Sequence, residues 1–389
     1  MIQFNDVSLA TFLKDYWQKR PLVIRNALPG FQSPISAEEL AGLSLEEEVE
    51  SRLVIQHDAQ NYELRKGPFD ETTYANLPEQ DWTLLIQGMD RLIPEVTALL
   101  DEFNFLPRWR IDDIMVSYAV TGGNVGPHYD HYDVFLLQAA GKRRWHLTSQ
   151  DCIESNAIQG VDLRLMQTFT IEDSFDFEAG DILYIPPKWG HHGIALDDDC
   201  MTYSIGYRSY RGQELWDSLG DHLSEEHGFQ SLYQDPQWPV NLKPGEITDE
   251  AVTQAQALLE TALKDPKQLK TWFGRFATQL DPTSAQQLPD PLTEAETPEF
   301  SEFTSALTEA NRFEKDPVCR FAYTQLNEQT LLYLNGAIWD QQGATDDFVQ
   351  ALCNQSILHP ADWQDSQNHA LLFDLWKLQY WALPEAPAE

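Results

Sequence analysis

Between Trp109 and Tyr210 the chain passes through short stretches rich in β-branched and aromatic residues, each ended within a few positions by Gly, Pro, Asn or Asp. The spacing predicts strands over 114–120, 134–138, 143–147, 167–171, 181–185 and 201–207. Parallel strands need a crossover of a dozen or more residues, usually helical, and no helical pattern separates these runs. They are therefore expected to pair antiparallel, as a sandwich or a barrel.

The flanks read differently, which makes the chain α+β with a mainly β core. Leu9, Phe12, Leu13 and Tyr16 recur at helical spacing behind Ser8, a suitable N-cap, and a strand is expected at 21–24. Helices over 37–50 and 93–105, the latter closed by Pro107, alternate with strands over 52–56, 62–65 and 82–87. After Arg208 the pattern predicts helices over 217–226, 249–263 and 269–280, the second with Val252, Ala255, Leu258, Leu259 and Leu263 along one face. Pro282, Pro289, Pro291 and Pro298 among polar residues give 281–299 the composition of a linker. The expected division is a core over 1–210, a helical region over 211–280, that linker, and a domain over 300–389. No internal repeat occurs.

Charge and cysteine usage narrow the functional classes. With 26 Lys and Arg against 62 Asp and Glu the net charge is −36, which argues against neutralising a phosphate backbone. Residues 300–389 hold 4 basic and 13 acidic side chains, so that domain is not expected to bind nucleic acid either. Excess acid suits a soluble surface, and also the long-range attraction of a basic partner. Cys152, Cys200, Cys319 and Cys353 lie 48, 119 and 34 residues apart, so they form no Cys-x-x-Cys pair and are expected to be reduced. Charged residues interrupt the first twenty positions, and no window approaches the roughly 20 apolar residues of a membrane span. A cytoplasmic protein without membrane contact is expected.

Gly122-Gly-Asn-Val-Gly-Pro-His128-Tyr-Asp130 ends a glycine-rich turn and enters a strand. Residues two apart on a strand share a face, so His128 and Asp130 offer one imidazole and one carboxylate side by side. His191, in Ile185-Pro-Pro-Lys-Trp-Gly-His191-His192, supplies a third donor from a distant segment. Two imidazoles and a carboxylate on one face of an octahedron leave the other face open, the arrangement of non-haem Fe(II) oxygenases. The pattern repeats at once as His131-Tyr-Asp133. A regular strand would put the two pairs on opposite faces. The first follows the Gly-Pro turn directly and is taken as metal-facing, with Tyr132 on the same side, whereas His131 and Asp133 become outward or supporting groups. The same parity favours His191 over His192. A chelating 2-oxo acid also needs a cation for its far carboxylate. In Gly141-Lys142-Arg143-Arg144-Trp145 one face carries Arg143 and the other Lys142 with Arg144. Thr202 and Ser204 can add hydroxyl contacts.

Together Gly126-Pro-His128-Tyr-Asp130, Tyr132-Asp-Val-Phe135, Gly141-Lys-Arg-Arg-Trp145, Gly180-Asp-Ile-Leu-Tyr-Ile-Pro-Pro187 and Tyr203-Ser-Ile-Gly-Tyr207 resemble the bacterial ribosomal oxygenases of the JmjC type, the YcfD or RoxA group. The resemblance extends through Trp272-Phe-Gly274 to the C-terminal domain. It implies a double-stranded β-helix (a JmjC, cupin-like barrel), then helices that form a homodimer, then a winged-helix-like domain. It further implies Fe(II), 2-oxoglutarate and O2, with iron on His128, Asp130 and His191 and the 2-oxoglutarate clamp on Arg143. The implied reaction is Cβ hydroxylation of an arginine in a basic protein of the large ribosomal subunit. Thr202 stands where that pattern leads us to expect Asn, and the loop at 197–199 is one residue longer. The motifs equally suit a related oxygenase acting on histidine or methyl-lysine, or a non-catalytic scaffold in ribosome assembly.

Overall fold

The computed structural model describes residues 2–158, 164–225, 229–241, 243–310, 312–327 and 329–383. The chain divides into two compact units, Met1–Ser209 and Tyr210–Glu389.

Among its described residues the first unit has twelve strands: β1 (Leu22–Ile24), β2 (Ser51–Asp58), β3 (Asn61–Lys66), β4 (Trp82–Ile86), β5 (Ile111–Ala119), β6 (His128–Tyr129), β7 (Val134–Ala140), β8 (Lys142–Thr148), β9 (Asp173–Glu178), β10 (Ile182–Ile185), β11 (Gly190–Ala195) and β12 (Cys200–Tyr207). An eight-stranded sheet runs β1-β10-β7-β12-β5-β4-β2-β3 and a four-stranded sheet runs β6-β11-β8-β9, with antiparallel pairing throughout. This is the antiparallel, double-stranded barrel expected for the first 210 residues.

Strands buried on both faces read as unbroken apolar runs, and β7 shows why. Val134 and Leu136 point between the sheets, where they meet Trp145, Leu147, Phe177, Leu183 and Ile185. Phe135 and Leu137 point the other way, into a layer with Phe12, Phe103, Tyr184, Tyr203 and Ile205. Aromatic rings dominate that outer layer. Phe12 meets Tyr184 edge-on at 5.0 Å between centroids, and Trp17 stacks on the same tyrosine at 5.5 Å.

Several expected elements differ. The 167–171 run forms no strand; the partner of β8 is β9, whose Phe175 and Phe177 alternate with acids. Strand β11 was hidden by its glycines and histidines. Gly193 is required there because a Cβ would meet the Trp145 ring at 2.5 Å. The first helix starts on Ser8, whose hydroxyl accepts from Thr11 N, and it continues as a wider turn over Phe12–Tyr16. The helix expected over 37–50 stops at Leu43, and the one over 93–105 is Pro94–Leu99 followed by a tighter turn over Leu100–Phe103.

In the second unit, helices Gly212–Glu225, Asp249–Ala262 and Pro266–Thr278 precede a domain with two three-stranded sheets. Glu226, the expected end of the first helix, lies outside the described residues. Phe303, Leu307, Phe313, Phe348, Leu352, Leu371, Leu375 and Trp381 form the domain's core. The Pro266–Thr278 helix packs on one of the sheets, where the Tyr333 hydroxyl donates to Lys270 O (3.0 Å) and Gly336 N donates to Thr278 Oγ1 (3.1 Å). The proline-rich stretch contains a short helix, Pro282–Gln286, capped by Asp281. Proline at the first helical position behind an acidic cap starts a helix as readily as it marks a linker. Leu292 N then bonds Lys377 O at 2.8 Å.

Candidate metal centre

Strand β11 lies between β6 and β8, with His191 directly opposite His128 on one side and Leu147 on the other. That register, together with Asp130 just beyond the end of β6, gathers three donors. One ligand atom from each of His128, Asp130 and His191 lies within 4.8 Å of the others. His191 Nε2 is 3.6 Å from Asp130 Oδ2, and the two imidazole centroids are 4.2 Å apart.

The tautomers are set by the backbone. His128 Nδ1 donates to Gly126 O (2.9 Å) and His191 Nδ1 donates to Trp189 O (3.1 Å), so each ring keeps Nε2 for a metal. Burial, reinforced by the neighbouring His128, pushes the His191 imidazole down to about 4, which keeps it neutral and able to ligate. The Tyr132 phenol lies against Asp130, whose negative charge is the first cause of its raised pKa.

The strand alternation assumed for the repeated motif does not run its full length. Strand β6 ends at Tyr129, and the Asp130 carbonyl accepts from Lys188 N at 2.8 Å. Asp133, expected outside or in support, is completely buried: it accepts from the Tyr184 hydroxyl (2.6 Å) and Gln18 Nε2 (3.1 Å), with Arg110 Nη2 at 3.5 Å. His192 turns away from the donor set toward His146 and Phe169.

Arg143 and its neighbours separate cleanly. Arg144 is exposed and forms a two-pronged pair with Asp176 (2.6 and 2.8 Å), and Lys142 is exposed as well. Arg143 is 3% exposed and lies beside the Trp145 ring. Its Nη1 makes a long bond to Gly193 O (3.4 Å), while Nε and Nη2 are buried with no partner among the described residues. A guanidinium buried with two unspent donors fits a carboxylate ligand, because an unpaired buried charge is otherwise strongly unfavourable. Thr202 is buried and donates to Gln138 Oε1 (3.1 Å), and Gln138 Nε2 donates to Ala140 O. Ser204 is half-buried, in register with Met115 and Leu136.

Sequence reasoning missed other polar groups. Gln138 is a lone amide in an apolar strand, a signal that was available. Arg52 Nη2 donates to Gln87 Oε1 and Gln87 Nε2 to Asp113 Oδ2, both at 2.7 Å, and Asn124 is buried among bonds to four segments. Their partners are distant in sequence, so no local pattern announces them.

An antiparallel barrel that gathers two imidazoles and a carboxylate, and buries an arginine on β8 with donors to spare, has the parts of a 2-oxo acid-dependent metal oxygenase. Comparison with known proteins agrees. Residues 98–215 match the JmjC domain family and residues 257–382 the ROXA-like winged helix. The chain is 37% identical over 268 residues to the ribosomal protein uL16 3-hydroxylase of Escherichia coli, covering 69% of this chain and 70% of that one. It is 33% identical over 346 residues to a probable ribosomal oxygenase of Haemophilus influenzae, covering 85% and 81%. The solved structure of the E. coli ribosomal oxygenase YcfD with cobalt and 2-oxoglutarate superposes with a TM-score of 0.82 at 31% identity, over 98% of this chain and 99% of that one. The chain belongs to the JmjC ribosomal oxygenases, whose cofactor set is Fe(II) and 2-oxoglutarate.

Proposed function

We propose that this chain hydroxylates the Cβ of an arginine in a basic protein of the large ribosomal subunit, in the cytoplasm and as a homodimer. The observation that carries the reading is the pairing of the His128, Asp130 and His191 donor set with the two unspent nitrogens of Arg143. The relative's name specifies position 3, which is Cβ of an amino acid, and a ribosomal protein as its target.

In this reading His128 Nε2, a carboxylate oxygen of Asp130 and His191 Nε2 would hold the metal. Arg143 pairs with the far carboxylate of 2-oxoglutarate, and Thr202 and Ser204 line the cosubstrate's side of β12. When bound, Fe(II) activates O2 at the expense of 2-oxoglutarate, which leaves as succinate and CO2 while one oxygen atom enters the substrate C–H bond. The side chains do the rest: they orient, and they keep water from the guanidinium. A surface of net charge −36 favours the approach of a basic protein.

Apolar surface left uncovered supports the dimer. In helix Asp249–Ala262 only Ala262 is buried, while Val252 is 55% and Leu259 48% exposed, and Leu232, Val240 and Ile247 nearby are more exposed still. A stable homodimer interface buries about 2,000 Å² or more. Sedimentation at micromolar concentration should show a dimer.

The deciding experiment is incubation with ribosomal proteins, Fe(II) and 2-oxoglutarate, followed by peptide mass spectrometry. A gain of about 16 Da, one oxygen atom, is expected on an arginine. The same gain on a histidine would move the assignment to another substrate residue, and turnover with no modified ribosomal protein would sink it.

A further inference from the structure

Asn124 is 1% exposed and sits in the glycine-rich turn ahead of His128. Its Oδ1 accepts from Gly126 N (2.9 Å), from the Tyr62 hydroxyl (3.0 Å) and from His192 Nε2 (3.1 Å). Its Nδ2 donates to Gly122 O (2.8 Å) and Gln56 Oε1 (2.6 Å). The orientation of the amide is fixed on both sides by main-chain groups: the Gly126 N–H can only donate and the Gly122 carbonyl can only accept.

Two of these bonds lead to the metal centre by separate routes. Gly126 N is held by Asn124, and Gly126 O in turn takes the Nδ1 hydrogen of His128. His192, held by Asn124, is the chain neighbour of His191. One side chain therefore grips the arm carrying the first imidazole and the strand carrying the last. The turn has little freedom to do this alone. Gly126 has φ +78°, where only glycine is at ease, and a Cβ there would meet Leu165 at 2.4 Å.

We propose that Asn124 is the positioning residue of the metal centre, holding the His128 arm and the His191 strand at one fixed separation. The proposal rests on reading His128, Asp130 and His191 as the ligands, and goes beyond it by assigning their spacing to a residue that touches no metal.

The test is titration of the metal-free full chain with Co(II), reading the dissociation constant and the visible spectrum, which reports coordination geometry. Asn124→Asp keeps the size of the side chain and its acceptor oxygen but sets a second oxygen against Gly122 O and Gln56 Oε1. It should weaken Co(II) binding by roughly 10- to 100-fold, the usual effect of losing a group that orients a ligand, and change the spectrum. Asn124→Ala should do the same, and His192→Phe, which severs only the strand route, should lose less. Asn124 variants that melt earlier yet bind Co(II) with the parent affinity and spectrum would overturn the proposal, because that is what a purely structural residue does. Should Asn124→Ala fail to fold, the isosteric Asn124→Asp still decides. His128→Ala separates the two ideas: if it retained Co(II), the ligand reading itself would be wrong.

Discussion

His128-Tyr-Asp130 and His131-Tyr-Asp133 have the same letters and follow one another without a gap, yet the fold uses them for opposite purposes. Asp133 is sealed among the Tyr184 hydroxyl, Gln18 and Arg110, and its carbonyl takes the Tyr207 N–H at 2.9 Å. Its bonding capacity is spent inside the protein. Asp130 faces the Tyr132 phenol and the two imidazoles, in a place where a cation would relieve the crowding of acceptors. A metal motif is thus defined less by its residues than by the capacity the surrounding fold leaves them.

Substitutions at the two pairs should separate in what they damage. The largest effect belongs to the first pair: His128→Ala or Asp130→Ala should cut turnover by on the order of 1,000-fold or more, since a metal supplies several kcal/mol of stabilisation and each 1.4 kcal/mol is tenfold. Circular dichroism should stay unchanged. If His131→Ala lost the metal while His128→Ala kept it, the comparison would be inverted.

Arg143→Ala comes next, at about 2 to 5 kcal/mol in kcat/KM for 2-oxoglutarate, with Co(II) affinity retained. Steady-state kinetics beside a metal titration checks it, and an equal loss from Arg144→Ala would break the assignment of the inward face. Asp133→Ala should instead cost stability, about 3 kcal/mol in urea unfolding, because it strips a buried partner from Arg110 and Tyr184. Its pH dependence has a definite sign. Burial raises the folded carboxyl of Asp133 above its unfolded value, so the native state holds the proton more tightly and the wild type loses stability as pH rises from about 4. Asp133→Asn lacks that slope, and the stability difference should move in its favour toward neutral pH. The smallest effect is expected at the partly exposed His131, where Ala should leave stability within about 0.5 kcal/mol and turnover nearly unchanged.

Much of this was legible because the chemistry repeats at short range. Strand periods gave the barrel, and the His-x-Asp spacing singled out His128 and Asp130, although β6 ends at Tyr129, before Asp130. Strand β11 was not legible as a strand, because Gly190 and Gly193 are there for close packing and carry no β signal. The burial of Asp133 was not legible either, since a carboxylate reads as surface until its donors from residues 18, 110 and 184 are brought to it. The same holds for Asn124, whose partners come from positions 56, 62 and 192. Local pattern identifies what reacts, and only folding shows what holds it in place.

Strand β9 has a consequence for how the protein behaves in solution. It is the last strand of the smaller sheet, bonded to β8 on one side, and on its other rim Asp176 O accepts from Arg25 Nη1 (2.6 Å) and Glu178 N donates to Asp181 Oδ2 (3.3 Å). Asp173, Asp176 and Glu178 stand exposed along it. Like charges brought edge to edge repel, which keeps this rim from templating a strand of another molecule. The guard is only as good as the ionisation of those carboxylates. At Asp176 the paired Arg144 guanidinium holds the carboxyl below the usual carboxylate range, so this part of the guard outlasts a fall in pH that would neutralise a free carboxylate.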